Sequence, residues 1–147
     1  MKSEEDEYSI RDLERDRRTR WVGVRNYEAR NLMRDRMRPG DEILYYHSNA
    51  NPSGVAGIAR VASEPYPDPT QFDPSSPYHD ERATKEEPRW FLVDIEFVEE
   101  FPRLVPLSEI RVEPRLSEMV LVNRMRLSVQ PVLPKELEVV KEMATRR

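Results

Sequence analysis

The best candidates for ligand contact lie between residues 45 and 61, where two tyrosines precede small hydrogen-bonding side chains and a glycine-spaced strand. Aromatic rings beside short donors and acceptors suit a flat, polar ligand such as a nucleobase, because a ring can stack on the base while polar groups contact its edge. The segment shows no array of acid, base and nucleophile, so it predicts binding rather than catalysis. The residues that carry this interpretation are Tyr46, His47, Ser48 and Asn49.

Signatures of catalysis are missing from the rest of the chain. Neither common glycine-rich phosphate loop occurs, and there is no Gly-x-Ser-x-Gly elbow. His47 and Ser48 are neighbours on a predicted strand, so their side chains point to opposite faces and do not form a catalytic pair. The acidic residues around His79 match no metal-ligand spacing and are typical of turns. We therefore expect no catalytic residue, no metal site and no cofactor.

The composition is that of one domain spanning residues 1–147. Hydrophobic residues make up 37% and charged residues 35% of the chain, which indicates a modest core beneath a highly charged surface. No apolar run approaches membrane-spanning length, and no signal-peptide pattern is seen. The absence of cysteine excludes disulfides and thiolate chemistry and fits a reducing compartment, so we expect a cytoplasmic protein.

Arginine is in excess in the N-terminal third of an otherwise acidic chain. The net charge is −4, which argues against binding of nucleic acid by bulk electrostatics. Between residues 11 and 38, however, there are ten arginines and five acidic residues. This run is either a solvated helical face with internal ion pairs or a local contact for an anionic backbone. Under the second interpretation, Arg25 and Arg30 are the predicted phosphate contacts, because the excess adjoins aromatic positions such as Trp21.

Hydrophobic periodicity and turn signals predict an α+β domain. Ser9 and Asp12 have capping-box spacing for a short helix, and Asn26 caps a second helix over 27–36. Pro134 fits the first turn of a C-terminal helix. The other predicted elements are strands over 42–46, 54–63, 90–101 and 127–132, a turn at 39–40 and a helix over 107–112. Together they form a mixed sheet or small barrel with peripheral helices.

Residues 64–89 differ from the rest of the chain. Six prolines in this segment exclude regular structure. Tyr66, Phe72 and Tyr78 are aromatic residues of a kind that disordered linkers seldom carry. We therefore expect an ordered flap that lies within the domain and packs on it, rather than a domain boundary.

The remaining binding candidates each have a structural explanation as well. A single tryptophan such as Trp21 is more often part of a core than of a base-binding cage. Asn49 is a typical turn residue, and Gln130, beside Pro131, is consistent with an exposed strand position. What distinguishes these residues is their combination and their order along the chain.

That order resembles the EVE domain family. The resemblance covers essentially the whole chain and is specific, because many motifs occur in the same sequence order. The motifs are residues 2–4 (KSE), 21–31 (WVGVRNYEARN), 46–49 (YHSN), 54–59 (GVAGIA), 66–68 (YPD), 72–74 (FDP), 88–90 (PRW) and 127–132 (LSVQPV).

The resemblance implies a PUA-like fold, a mixed β-barrel with peripheral helices that is related to the YTH and ASCH domains. It also implies a non-enzymatic module that binds nucleic acid, DNA or RNA, and holds a modified base, methylated or hydroxymethylated, in an aromatic-lined pocket. The base-binding residues that we infer from it are Lys2, Ser3, Trp21, Asn26, Tyr27, Tyr46, His47, Ser48, Asn49, Ser128 and Gln130.

Two departures from the family pattern concern the first residues. Members usually have a short apolar strand before the Lys-Ser pair, whereas Lys2 here follows Met1. The usual proline after Ser-Glu is replaced by Glu5. Either the apolar strand lies upstream or this chain lacks it.

Two other functions stay open on the sequence alone. The first is an enzyme acting on a nucleotide or modified nucleoside, with His47 or a flap carboxylate as its base. The second is a protein-interaction domain that uses the proline-rich flap.

Overall fold

The computed structural model describes residues 1–124 and 126–146 and shows an α+β domain. Its strands are β1 (Lys2–Glu4), β2 (Arg18–Arg20), β3 (Glu42–Ser48), β4 (Gly54–Val61), β5 (Tyr66–Pro67), β6 (Phe91–Leu92) and β7 (Asp94–Pro106). Its α-helices are α1 (Ile10–Asp16), α2 (Tyr27–Asn31), α3 (Leu107–Val112), α4 (Val120–Asn123) and α5 (Pro134–Ala144). A π-helical turn, Leu32–Arg36, continues α2, and 3-10 turns lie at Pro69–Phe72 and Pro114–Leu116.

The main sheet has five strands in the order β1-β3-β4-β7-β2. The short β1 pairs in parallel with β3, and the other pairings are antiparallel. The predicted mixed sheet with peripheral helices is therefore confirmed. The barrel is not closed, because the edge strands β1 and β2 have only three residues each and do not pair with one another in the described part of the chain.

Two glycines allow β4 to approach β7 closely, as the glycine spacing predicts. A Cβ atom at Gly54 would lie 2.3 Å from the carbonyl oxygen of Val105, and one at Gly57 would lie 2.3 Å from that of Glu99. The β4–β7 register also shifts twice along this pairing. These glycines therefore serve backbone packing within the sheet.

The core has one layer on each face of the sheet. Residues alternate along β3, so Tyr45 joins the layer that contains Ile10 and Leu13 of α1, whereas Tyr46 joins the layer of α5. Val140 of α5 lies in that second layer. A smaller third cluster contains Ala29, Met33, Leu127 and Val129.

The predicted helix signals are confirmed. Ser9 and Asp12 form a reciprocal capping box on α1, and the Asn26 side chain accepts a hydrogen bond from the Ala29 amide at 2.9 Å. The predicted helices at 107–112 and from Pro134 correspond to α3 and α5. Among the described residues, no helix is long and apolar enough to cross a membrane.

Three predictions of regular structure need correction. Residues 127–132 form no strand. Pro131 has no amide hydrogen to donate to a neighbouring strand, and the Gln130 side chain forms hydrogen bonds within its own loop. The loop contacts β1 through the hydrogen bond from the Lys2 amide to the Ser128 carbonyl. The predicted strand over 90–101 is divided into β6 and β7. The flap contains the short β5 and a 3-10 turn, although its prolines predicted no regular structure.

Candidate functional site

Trp21 lies where three segments of the chain meet. Its ring contacts Tyr45 edge to face, with centroids 5.7 Å apart, and packs against the cluster that contains Leu127 and Val129. Its backbone amide donates to the Val93 carbonyl at 3.1 Å. The ring is half-buried, so Trp21 is at once a packing residue and a residue with an accessible edge.

Four of the predicted residues lie together beside β1. Lys2, Tyr46, Ser128 and Gln130 line a space of about 30 Å³, which has room for about one water molecule. The Lys2 Nζ lies 5.5 Å from the centre of the Tyr46 ring. Burial lowers the pKa of Lys2 and raises the pKa of Tyr46. These residues form a packed wall rather than an open pocket.

Gln130 shapes the loop that follows α4. Its Nε2 donates to the carbonyl oxygens of Arg124 and Leu127, each at 2.8 Å. The Asn123 side chain donates to the carbonyls of Ser117 and Met119 at 3.2 and 3.1 Å. Two side-chain amides therefore fix the backbone at Arg124. The donors of the Gln130 side chain are used within its own loop rather than presented to a ligand.

A cavity of about 260 Å³ opens between the start of α2 and this loop. At its edge, Arg124 forms a two-pronged ion pair with Glu28, with Nη1–Oε2 and Nη2–Oε1 distances of 2.7 and 3.0 Å. Arg126 is exposed beside it. Two guanidinium groups and two amides thus face a space that accommodates planar or anionic groups. The cavity is lined by Asn26, Asn123, Arg124, Arg126 and Leu127.

The predicted phosphate contacts, Arg25 and Arg30, are engaged by neighbouring residues. Arg25 donates to the Tyr78 carbonyl at 2.6 Å and forms an ion pair with Asp68 at 3.2 Å. Arg30 donates to the Arg89 carbonyl at 2.8 Å, and its guanidinium carbon lies 4.6 Å from the centre of the Tyr27 ring. Both guanidinium groups therefore fasten segments of the protein to one another.

Tyr27, whose ring Arg30 contacts, also packs against Trp90. It is 46% exposed, but its ring stacks on Trp90 with a centroid distance of 4.7 Å and an interplanar angle of 21°. Its hydroxyl accepts a hydrogen bond from Arg89 at 3.2 Å. The Arg25 guanidinium carbon lies 5.3 Å from the centre of the Trp90 ring. Tyr27 thus joins α2 to the C-terminal end of the flap.

Buried polar side chains anchor the flap to the Trp21 segment. Asp68 is 1% exposed and accepts hydrogen bonds from the Gly23 amide at 2.8 Å and from the Thr70 hydroxyl at 2.6 Å. Gln71 is fully buried, and its amide makes four hydrogen bonds, two of them with the backbone of Trp90. The flap is therefore part of the framework that positions the segment from Trp21 to Tyr27.

Gly23 shows how closely the flap approaches. This residue has a φ of +86°, and a Cβ atom here would lie 2.6 Å from the Tyr78 ring. Only glycine combines that backbone conformation with this contact. The requirement for glycine in the Trp-Val-Gly-Val segment is therefore explained by the flap rather than by a ligand.

The residues at the end of β3 lie on the α1 side of the domain. His47 is buried, its Nε2 accepts a hydrogen bond from the Ile10 amide at 3.1 Å, and its Nδ1 lies 3.3 Å from a Glu5 carboxylate oxygen without hydrogen-bond geometry. Burial lowers the pKa of His47, against the opposing effect of Glu5. His47 thus supports the start of α1.

Ser3, Ser48 and Asn49 have local environments that differ from one another. Ser3 lies opposite His47 in the β1–β3 pairing. A hydrogen bond between the side chains of Ser3 and Tyr45 lowers the pKa of Tyr45 and partly offsets the rise that burial causes. Ser48 is half-buried opposite Glu4. Asn49 has a φ of +49°, and its amide donates to the Glu4 carboxylate at 2.6 Å, as befits a turn residue.

A larger cavity, of about 500 Å³, lies along β3. It is a mostly apolar groove along the edge of β3, next to Met1 and lined by residues such as Ile43, Val129 and Leu137. Gln130, one of the predicted base-binding residues, also lines this groove. Among the described residues, no three histidine or acidic side chains are placed to hold a metal ion.

Arg124, Arg126 and Asn123 are absent from the residues that the sequence singled out. A weak signal for them exists, because they directly precede the 127–132 motif and two of them are basic. The stronger arginine signal in the sequence lies over 11–38. Only the fold brings Asn26 and these residues to one cavity.

Comparison with known proteins places this architecture in a family. The model of the EVE domain matches residues 1–143. Thymocyte nuclear protein 1 of Gallus gallus is 41% identical over 143 residues, covering 90% of this chain and 59% of that protein. The human protein of the same name is 39% identical, covering 90% and 63%. The chain spans about six-tenths of the length of these relatives.

Solved structures extend the comparison to three dimensions. A Pseudomonas putida protein is 46% identical with a TM-score of 0.93, covering 98% of this chain and 97% of that chain. The DUF55 domain of human thymocyte nuclear protein 1 has a TM-score of 0.94 at 36% identity, covering 100% and 98%. Human THYN1 protein in complex with 5-methylcytosine-containing DNA has a TM-score of 0.92 at 37% identity, covering 100% and 96%. The PUA-like α+β fold is thereby shown, and the chain belongs to the EVE domain family.

Proposed function

We propose that this chain is a non-enzymatic module that binds nucleic acid and holds a modified base, methylated or hydroxymethylated. The observation that carries the proposal is the cavity of about 260 Å³ lined by Asn26, Asn123, Arg124, Arg126 and Leu127, the last of which belongs to the cluster on which Trp21 packs. A cavity lined by two arginines and two side-chain amides suits a single-stranded or flipped base attached to an anionic backbone.

The residue types assign distinct tasks within this proposal. A base stacked on the accessible part of Trp21 gains about 1–3 kcal/mol. The amide nitrogen of Asn26 presents a donor, and the amide oxygen of Asn123 presents an acceptor, to the edge of a base. Arg124 and Arg126 contact the flanking phosphates, which is the role that the sequence predicted for Arg25 and Arg30.

A structural relative supports this choice of ligand. The THYN1 complex contains 5-methylcytosine DNA, and its fold matches the whole of this chain at 37% identity. The family membership makes the same ligand class the first to test, in both DNA and RNA. The base-binding residues inferred from the sequence stay predictions until such a complex is measured.

The test is a binding panel of short oligonucleotides. Single- and double-stranded DNA and RNA carrying cytosine, 5-methylcytosine or 5-hydroxymethylcytosine are titrated with the protein, and fluorescence anisotropy of the labelled strand is recorded. We expect tighter binding to one modified strand than to its plain counterpart. Equal affinities would remove the claim of base reading, and no binding to any strand would remove nucleic acid as the partner.

A matched pair of variants locates the site within the same panel. Arg126→Ala should weaken binding, because it removes an exposed guanidinium at the cavity. Arg82→Ala makes the same change of charge on the flap, where Arg82 contacts Asp80 instead. If both variants bind like the wild type, or if they weaken equally, the cavity is not the binding site.

The enzymatic alternative receives no support from the geometry of His47. The Nε2 lone pair accepts the Ile10 amide hydrogen, so it is not available to abstract a proton from a substrate. The residue is also buried, which leaves little access for a substrate. The interaction function of the flap stays a prediction, since Asp68 and Gln71 account for how the flap packs but not for what its outer surface contacts.

A further inference from the structure

The ion pair between Glu28 and Arg124 joins two elements that are far apart in the sequence. Glu28 is in the first turn of α2, and Arg124 follows α4, 96 residues later. Both carboxylate oxygens contact the guanidinium group, at 2.7 and 3.0 Å. A phosphate presents two oxygens to a guanidinium group in the same paired geometry. Glu28 therefore occupies the face of Arg124 that a phosphate would use.

This pair can be opened at little cost. The side chains of Arg124 and Glu28 are 56% and 50% exposed, so water solvates both when they separate. The pair of Arg25 with Asp68 differs, because the Asp68 carboxylate is almost completely buried. Contact with Glu28 raises the pKa of Arg124, and an arginine also stays charged at neutral pH when such a contact is broken.

Arg126 supplies a second positive charge at the same cavity. It is exposed and forms no ion pair with the residues that the structure describes. The Gln130 side chain fixes the neighbouring backbone through the carbonyls of Arg124 and Leu127. The two arginines are thus presented from a backbone that is already held in place, which limits the entropy lost when an anion binds.

We propose that Arg124 and Arg126 form a site for one phosphate of the nucleic-acid backbone, and that Glu28 occupies this phosphate site until nucleic acid displaces it. The inference rests on the proposed function, because it identifies the anion as a backbone phosphate. Glu28 thereby lowers the affinity for strands that contact the protein only through their phosphate backbone. The remaining binding free energy must come from contacts with the base.

The first experiment compares two substitutions that change the net charge equally. Glu28→Gln removes the competing carboxylate, whereas Glu142→Gln removes a carboxylate that pairs with Arg115 elsewhere on the surface. Affinity for plain and 5-methylcytosine oligonucleotides is measured by anisotropy over a range of salt concentrations. We expect Glu28→Gln to tighten binding about two- to fivefold, the change in Kd that corresponds to an exposed ion pair.

The salt dependence gives a sharper reading of the same data. One additional phosphate contact makes the slope of log K against log salt more negative by about 0.9 for duplex DNA. Glu28→Gln should show part or all of this change, and Glu142→Gln should not. Equal tightening by both variants, or weaker binding by Glu28→Gln, would overturn the proposal.

A second experiment keeps the phosphate site testable if no oligonucleotide binds. Inorganic phosphate is titrated into ¹⁵N-labelled protein, and the arginine Nε–Hε signals are followed by NMR. In Glu28→Gln the signals of Arg124 and Arg126 should move at phosphate concentrations that leave them unchanged in the wild type. If they move in neither protein, the phosphate site is rejected. If they move while every oligonucleotide fails to bind, only the proposed function is rejected.

Discussion

The segment from Trp21 to Tyr27 is held on one side by the flap and faced on the other by the loop after α4. On the flap side the contacts are buried: Asp68 is 1% exposed, and Gln71 has no exposed surface. On the loop side the apolar contact of Trp21 with Leu127 and Val129 is buried, but the polar link, the Glu28–Arg124 pair just after this segment, has both side chains about half exposed. The polar contacts of one flank are thus interior, and those of the other flank are in contact with water.

This difference separates framework from binding surface. A buried polar group that loses its partner is left unsatisfied, so the flap cannot release its contacts without a large cost in folding free energy. An exposed ion pair exchanges its partner for water or for another anion at little cost. We therefore expect substitutions on the flap side to affect stability first and substitutions on the loop side to affect binding first.

Removing the Asp68 carboxylate should have the largest effect. Asp68→Ala leaves the Gly23 amide without its acceptor and removes the carboxylate that pairs with Arg25. We expect a loss of about 3 kcal/mol in the free energy of unfolding, at the lower end for broken buried pairs, because Arg25 is partly exposed and keeps the Tyr78 carbonyl as an acceptor. Urea denaturation measures the change. Asp73→Ala is the control, because Asp73 lies on the same flap but is exposed and caps only Ser75. Similar losses for both variants would refute the distinction between the two flanks.

Gly23→Ala should have the next largest effect. Its positive φ costs an L-residue about 1–2 kcal/mol, and the new methyl group would also collide with the Tyr78 ring. Gly40→Ala isolates the second contribution, because Gly40 has a φ of +94° with no atom within 4 Å of an added Cβ. Thermal unfolding should show a greater loss for Gly23→Ala. Equal losses would mean that the flap does not press on this residue.

The buried His47 should make stability depend on pH. Its pKa is lowered in the folded state, mainly by burial, while Glu5 and other carboxylates oppose the shift. The folded state therefore binds a proton at His47 less readily than the unfolded state does. The free energy of unfolding that depends on neutral His47 is fully present above the ordinary histidine pKa of 6.5 and decreases as the pH falls below that value. Protonation also removes the acceptor of the Ile10 amide hydrogen.

Urea denaturation at several pH values tests this dependence. His47→Gln should flatten the decline below pH 6.5, whereas His79→Gln, which replaces the half-buried histidine of the flap, should leave the decline in place. If the decline persists unchanged in His47→Gln, it arises from other titrating groups and not from His47.

Arg124→Ala should have the smallest effect on stability and a clear effect on binding. Opening an exposed ion pair costs at most about 1 kcal/mol, so its unfolding curve should match that of Arg11→Ala, which opens the exposed pair with Glu100. Oligonucleotide affinity should fall only in Arg124→Ala. A large loss of stability in Arg124→Ala would show that the loop side is framework as well.

Much of the architecture was open to prediction because its causes are local. The caps at Ser9 and Asn26 depend on side chains that reach an amide three residues away. Strand alternation separates Tyr45 from Tyr46, and the close approach of β4 to β7 depends on Gly54 and Gly57. The ordered motifs led to the EVE family without any structure. The failures arose where pairing is non-local, since nothing adjacent to residues 127–132 reveals that they form a loop or that the sheet stays open.

By itself, the sequence determined the fold class, the caps and the family of this protein, because short-range hydrogen bonding and periodic burial are encoded by neighbouring residues. The tertiary structure decided which charged groups face the solvent. Arg25 and Arg30 are engaged by the flap, whereas Arg124 meets Glu28 across 96 residues and lies with Arg126 at one cavity. Sequence composition counts these arginines as equivalent. Long-range packing distinguishes them, because it determines which guanidinium groups find a partner in the interior and which are left at the surface.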